Sequence, residues 1–274
     1  MIKILATDLD RTLIPNGKQK YDGSMDLFKK IIRKNNLKLV YITGRDIYLV
    51  KKAIKKHSLP IPDYVVGDVG ASVFKFNKDV EKTKTDKGWT NIIDKKTPGW
   101  DVKEFKKSLR DLKGLKLQEN SKQSEHKLSY YIDINKKNSI LKEVEKRIKL
   151  LCSYVEIVYS EDYPEKRGLL DILPKIATKK GALEYLIKKL GIKKQEVVFS
   201  GDSGNDYSLL VSDHNAIIVK NASFELKRKV KKIRKKNKDL DRLYIAKNNK
   251  KKGLNGNYVS GIIQGLDYFG LEVV

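Results

Sequence analysis

The chain has 274 residues, with 59 Lys+Arg against 34 Asp+Glu and a formal net charge of +25. Its 40% hydrophobic content excludes a disordered polycation, and the length allows one large or two smaller domains. A single cysteine, Cys152, excludes an internal disulfide framework and a four-cysteine zinc site, and no run approaches the roughly 20 apolar residues of a membrane span; a cytoplasmic protein with no membrane partner is expected.

In chain order, Ile2–Thr7 is a short apolar run ending at an acid, which predicts a first strand. Asp26–Asn35 carries Leu27, Phe28, Ile31 and Ile32 at helical spacing, and Leu37–Thr43 reads as a second strand. A helix over Asp46–His57 and a strand at Tyr64–Val66 follow, a β-α-β-α-β order that argues for a parallel sheet covered by helices. The middle differs: helices are expected over Asp101–Leu112 and Ser139–Leu151, and strands at Leu115–Gln118, Leu128–Ile134, Tyr154–Tyr159 and Leu169–Leu173. In Lys127–Asp133, Leu128, Tyr130 and Ile132 alternate with Lys127, Ser129, Tyr131 and Asp133, a period of two that suits an antiparallel sheet with one covered face. The α/β alternation returns with a helix over Lys179–Leu190, a strand at Glu196–Ser200, a helix from Tyr207, a strand at Ala216–Val219, a helix from about Ala222 and a closing helix near Val259–Phe269. The expectation is an α/β fold: a divided Rossmann-like core over residues 1–81 and 168–274, and a smaller α+β insertion over 82–167.

Asp8-Leu9-Asp10-Arg11-Thr12-Leu13 directly follows the first strand, where parallel-sheet enzymes bind ligands. Two carboxylates at i and i+2 can divide the labour of phosphoryl transfer, one attacking phosphorus and the other moving protons. A plain acid pair at a strand end, or part of an unrelated cation loop, is the other reading. Gly201-Asp202-Ser203-Gly204-Asn205-Asp206 follows the strand EVVFS and offers hard oxygen ligands suited to Mg²⁺, or else an Asx-rich turn capping the next helix. Thr43-Gly44-Arg45 ends the second strand and can meet an anion with a hydroxyl and free N–H groups. Lys180, before Gly181, can offset phosphate charge and hold a nucleophile ionised.

In this order the four motifs resemble those of the haloacid-dehalogenase superfamily of phosphatases. The resemblance implies Asp8 as nucleophile and Asp10 as general acid/base. It implies Thr43, Gly44 and Lys180 as phosphate-binding groups, with Asn205 orienting Lys180 or the phosphate. Mg²⁺ would be held by the Asp8 side chain, the Asp10 main-chain carbonyl and Asp202, with Asp206 supporting it directly or through water. An insertion between Thr43 and Lys180 resembles a type-two cap. Leu117-Gln118-Glu119, His126 to Tyr131, Leu170 to Pro174 and the GDSGND run are similar to the sucrose-phosphate phosphatase branch. That similarity implies a sugar-phosphate substrate, such as a disaccharide phosphate, gripped by Gln118, His126, Lys127 and Ser129; ordinary polar positions on an exposed strand face are the other reading of those four. A phosphotransferase or phosphomutase on the same scaffold is the nearer alternative.

Glu225–Lys238 (ELKRKVKKIRKKNK) is the densest basic run, and Leu226, Val230 and Ile233 would form one apolar stripe along it. A solvated helix explains the run, and the absence of aromatic residues inside it argues against stacking on nucleic acid. A basic nucleic-acid-binding protein retaining an enzyme core is therefore the disfavoured reading. His57 and His214 are expected at surface or helix-end positions.

Overall fold

A computed structural model describes residues 1–15, 17, 23–77, 82–162 and 167–273. The first strand, β1 (Ile4–Thr7), is buried at all four positions, as expected of a strand covered on both faces. Leu5 points into one apolar layer with Phe28 and Ile31, while Ile4 and Ala6 point into the other with Leu183 and Leu186. After α1 (Ser24–Lys34), β2 (Lys38–Ile42), α2 (Ile47–Lys56) and β3 (Tyr64–Gly67), the chain turns back through β4 (Ser72–Lys75) and β5 (Lys84–Thr85). Then come α3 (Lys87–Lys96), α4 (Val102–Leu109), β6 (Leu115–Leu117), β7 (Leu128–Ile132), α5 (Lys137–Leu151), β8 (Val155–Asp162) and β9 (Arg167–Pro174). The last third contains α6 (Lys179–Lys189), β10 (Val197–Gly201), α7 (Tyr207–Leu210), β11 (Asn215–Ile218), α8 (Phe224–Lys236), β12 (Leu243–Ile245) and α9 (Tyr258–Tyr268).

Eight strands form the large sheet in the order β12-β11-β10-β1-β2-β3-β4-β5, parallel except where β4 and β5 pair antiparallel at one edge. Helices α1, α2 and α9 cover one face, and α3, α6, α7 and α8 cover the other. β1, β2 and β10 are in register at Thr7, Tyr41 and Ser200, so the residues that follow them emerge side by side at one end of the sheet.

The second sheet is antiparallel, in the order β6-β7-β9-β8. Leu128, Tyr130 and Ile132 of β7 meet Phe105 of α4 and Ile140, Val144 and Ile148 of α5, so the expected period of two holds. Sheet membership divides the chain differently from the expected 82–167 insertion. β9 pairs with β7 and β8 and so belongs to the second sheet, because Leu170 and Ile172 are needed to complete its apolar face. At the other junction, β5 still pairs with the large sheet, and α3 buries Trp89 and Ile93 against it. The inserted sheet and its helices therefore run from α4 to β9; residue 81, the expected end of the first core segment, lies outside the described residues.

The basic helix α8 faces inward with Leu226, Val230 and Arg234, so the stripe continues through an arginine where Ile233 was expected. Arg234 is fully buried and fully used: its guanidinium donates to the carbonyls of Leu210 (2.9 Å) and His214 (2.8 Å) and pairs with Asp239 (2.7 Å). His214 is also fully buried, correcting the surface position expected for it. His57, the C-terminal cap of α2, is at a helix end as expected.

Two predictions follow from the packing. On α9, a Cβ added at Gly265 would lie 2.3 Å from Cγ1 of Ile217 on β11, so Gly265→Ala lowers unfolding stability by about 1–3 kcal/mol in denaturant titration. Burial pushes the His214 pKa down to about 4, with the Lys194 charge adding to the effect, so the folded state holds the ring neutral. The unfolded chain binds this proton near pH 6.5, so stability is full above that pH and falls as pH drops toward 4, by a few kcal/mol in all. His214→Gln should remove this part of the pH slope; an unchanged slope between pH 6.5 and 4 contradicts the assignment.

Candidate active site

Asp8 follows β1 and is anchored there: its N–H donates to the Ser200 carbonyl (3.0 Å), and its own carbonyl accepts from the Thr7 hydroxyl (2.8 Å). Asp202 follows β10 next door, and Asp206 lies four residues on, at the end of a 3-10 turn over Gly204–Asp206. All three are buried, and each brings one carboxylate oxygen within 4.8 Å of the others.

Lys179 lies among them. Its ammonium donates to Asp8 Oδ1 at 2.7 Å and Asp206 Oδ1 at 2.8 Å, and its side chain is 5% exposed. Lys180 points away: 41% exposed, it lies 4.0 Å from Glu184 on the outer face of α6. The structure thus corrects the expected lysine by one position. The reason is helical register, since residue 179 shares a face with the buried Ala182, Leu183 and Leu186, while 180 shares one with Glu184.

The second oxygen of Asp206 accepts from the N–H groups of Asp202 and Ser203 and from the Ser203 hydroxyl, at 3.0–3.1 Å. Asp206 is therefore committed to Lys179 and to its own loop. Asp202 accepts from the Thr12 hydroxyl at 2.9 Å and lies 3.4 Å from Nε of Arg11. Asn205 is exposed, and it is Asp206 that orients the lysine.

Burial dominates the electrostatics. It raises the Asp8 carboxyl to about 7; Lys179 opposes the shift, while Asp206 and Asp202 reinforce it. Asp202 rises to about 6, again through burial first, eased by Thr12 and worsened by Asp206. Burial works against the Lys179 ammonium too, but Asp206 and Asp8 outweigh it and hold the proton on. A site of hard oxygen donors whose negative charge exceeds its one ammonium suits a small divalent cation. Asp8 and Asp202 have the less committed oxygens.

Asp10 is apart from this cluster. Its carboxylate is 52% exposed and held by Arg45, Nε to Oδ2 at 2.8 Å and Nη2 to Oδ1 at 2.5 Å. Thr43 is fully buried at the end of β2, its hydroxyl accepting from the Arg45 N–H at 3.2 Å, and Gly44 is exposed beside it. Arg45 thus ties the Thr43 turn to the Asp10 turn, a link that the sequence motif contained without showing its partner.

Of the four residues expected to grip a sugar, Lys127 and Ser129 share the face of β7 opposite its apolar core. The Ser129 hydroxyl donates to Asp171 Oδ1 (2.5 Å), and the Lys127 ammonium lies 4.0 Å from the same oxygen. Opposite them on the large-sheet unit is Asp68, buried, bonded to Ser72 and raised to about 6 by burial, with Lys127 opposing the shift. Gln118 is used within the second sheet, donating to the Tyr130 carbonyl at 2.9 Å, and His126 reaches out of it, its Nε2 2.8 Å from Asp94 Oδ1 on α3. Asp68 carries no motif of its own and Asp171 lies in the Leu170–Pro174 run, and only the folded chain brings both to Lys127.

Comparison with known proteins agrees with this geometry. Residues 1–270 match the family model of sucrose-6F-phosphate phosphohydrolase. The chain is 34% identical over 269 residues to an HAD-like hydrolase of Nitrosococcus oceani, covering 97% of this chain and 71% of that one. It is 32% identical over 230 residues to sucrose-phosphatase 2 of Nicotiana tabacum, covering 81% of this chain but only 51% of the tobacco protein, so it spans about half that relative's length. The fold is similar to the sucrose-phosphatase of Synechocystis sp. PCC6803 in complex with sucrose and phosphate, with TM-score 0.72, 22% identity and 99% of each chain covered. With the buried carboxylates, the lysine between them and the inserted sheet on the same chain, it belongs to the sucrose-6F-phosphate phosphohydrolase family of the haloacid-dehalogenase superfamily, and it is a phosphoric monoester hydrolase.

Proposed function

We propose that the protein hydrolyses the phosphate ester of a disaccharide, sucrose 6F-phosphate or a close relative, with Asp8 as nucleophile and Mg²⁺ as cofactor. The observation that carries this is the buried Asp8–Lys179–Asp206 chain beside Asp202, at the carboxyl ends of β1 and β10. The family match and the polar second sheet support the sugar.

In this reading Asp8 attacks phosphorus through a carboxylate oxygen, forming the aspartyl-phosphate as the P–O bond to the sugar breaks. Asp10 delivers the proton to the departing oxygen and then takes one from the water that attacks the aspartyl-phosphate at phosphorus, returning Asp8 and releasing phosphate. To do this Asp10 must leave Arg45, whose guanidinium is then free to meet the phosphoryl oxygens. Lys179 holds Asp8 ionised and balances charge on the transferring group, and the turn at Thr43 and Gly44 supplies the Thr43 hydroxyl and the Gly44 N–H to the same oxygens. Mg²⁺ held by Asp8, Asp202 and the Asp10 carbonyl would neutralise the phosphate and align it with Asp8. Asp206 serves it indirectly, by fixing Lys179 and the loop that carries Asp202. Lys127, Ser129, Asp171 and Asp68 form the polar surface proposed to meet the sugar, with Gln118 and His126 shaping it.

A panel of sugar phosphates in Mg²⁺ tests the substrate. The highest kcat/KM is expected for sucrose 6F-phosphate or another disaccharide phosphate, and a monosaccharide phosphate turned over tenfold better contradicts the reading. On p-nitrophenyl phosphate, Asp8→Asn should lower kcat by about 10³–10⁶-fold and Asp10→Asn by about 10²–10⁴-fold. Lys179→Ala should cost about 10²–10³-fold, while Lys180→Ala stays within about twofold of the native rate. The opposite ranking of the two lysines contradicts the site described above. Removing divalent cations with EDTA should abolish turnover, and adding Mg²⁺ should restore it.

A further inference from the structure

The residue that places Lys179 comes from outside the four motifs. Between β3 and β4 the chain makes a tight turn, and that turn touches two parts of the site. The Asp68 N–H donates to the Arg45 carbonyl (3.0 Å) and the Val69 N–H to the Thr43 carbonyl (3.1 Å), which fixes the Thr43 turn. Gly70, at φ +114, lies flat against the entry to α6: a Cβ there would be 2.2 Å from the Thr178 carbonyl carbon and 2.6 Å from the Lys179 nitrogen. Only glycine permits this backbone-to-backbone approach.

The turn is held in turn by Trp89 on α3. Its indole N–H donates to the Gly70 carbonyl at 2.9 Å, and the ring is 2% exposed. The ring stacks near Tyr185 of α6, centroids 5.3 Å apart, and the Tyr185 hydroxyl donates to Asp86, the N-cap of α3, at 2.8 Å. Five residues along the same helix, Asp94 reaches the inserted unit through His126 at 2.8 Å. One short helix therefore touches the turn behind Lys179 at one end and the inserted unit at the other.

We propose that Trp89 is a positioning residue for Lys179, acting through Gly70 and Thr178, and that α3 links that position to the inserted unit through Asp94. The inference rests on Lys179 serving Asp8 as proposed above. Loss of the indole N–H frees the Gly70 peptide, lets the Thr178–Lys179 entry shift, and lengthens the ammonium's reach to Asp8. A displacement of about 1 Å in such a group costs up to about 10²-fold in rate.

The test is a set of mutant cycles on p-nitrophenyl phosphate in Mg²⁺, with thermal melts to confirm folding. Trp89→Phe should lower kcat about 10–100-fold with KM within about twofold, and half-exposed Asp94→Asn, which leaves the core packing intact, should lower kcat several-fold in the same way. In a Lys179→Ala background neither change should lower the residual rate by more than about twofold, since both act through the missing ammonium. Full additivity in that background, or native kcat in both single variants, overturns the proposal even if Trp89→Phe is less stable. Should Trp89→Phe fail to fold, the Asp94→Asn cycle decides by the same criterion. Native activity in Lys179→Ala alone instead overturns the role given to Lys179, and the inference falls with it.

Discussion

Three carboxylates within 4.8 Å of one another repel, and burial raises that cost by removing the water that would screen them. The protein meets this with one ammonium, Lys179, drawn between Asp8 and Asp206 and nearly closed off from solvent. Everything near the site is arranged around that contact. Thr178 caps α6 through the Gly181 N–H, which sets where the helix begins and so where its first side chain points. The parallel register of β1 and β10 brings Asp8 and Asp202 out at the same end of the sheet. Asp206 spends one oxygen on the lysine and the other on its own loop, so the cluster is rigid before any ligand arrives. Lys179 among them and Arg11 beside Asp202 still leave the three acids in excess, a balance that suits a divalent cation.

The elements that obeyed one rule were legible in the sequence. Central strands such as β1 are buried at every position because both faces are covered, and β7 alternates in polarity because only one of its faces joins the apolar core of the second sheet. The acid motifs were legible because Asp8 and Asp202 sit immediately after such strands. The lysine was misplaced by one residue because each of two adjacent lysines has apolar residues along its face of α6, Ala182 and Leu186 for one and Leu183 and Ile187 for the other; the contacts with Asp8 and Asp206 distinguish them. α3 escaped notice because its buried residues, Trp89 and Ile93, are few among polar ones, and its packing depends on a hydrogen bond to the Gly70 turn that its own sequence does not show. β9 was read as a strand of the middle segment but fell just past the expected boundary at 167, which only the pairing of Leu170 and Ile172 into the second sheet's core corrects. His214 and Arg234 defeated composition altogether: a buried arginine reads as a surface residue until the carbonyls it satisfies are in view.

The net charge of +25 has a plainer meaning in the folded chain than in the composition. On α8, Leu226, Val230 and Arg234 turn inward while Arg228, Lys229, Lys231, Lys232, Lys235 and Lys236 are exposed, so the run is the outer face of a core helix. The reacting centre itself is acidic. Positive charge on the outside favours the approach of a phosphorylated substrate by long-range attraction that salt weakens, and it requires no nucleic-acid partner.

The central claim is that Asp8, held by Lys179, becomes covalently phosphorylated during turnover. Quenching the Mg²⁺-loaded enzyme during turnover of an aryl phosphate and reducing it with borohydride converts an acyl phosphate at an aspartate to homoserine. Mass spectrometry of the digested protein should then find homoserine at position 8 and at no other aspartate. Unmodified Asp8 under conditions where phosphate is being released, or reduction at Asp10 or Asp202 instead, would contradict the account.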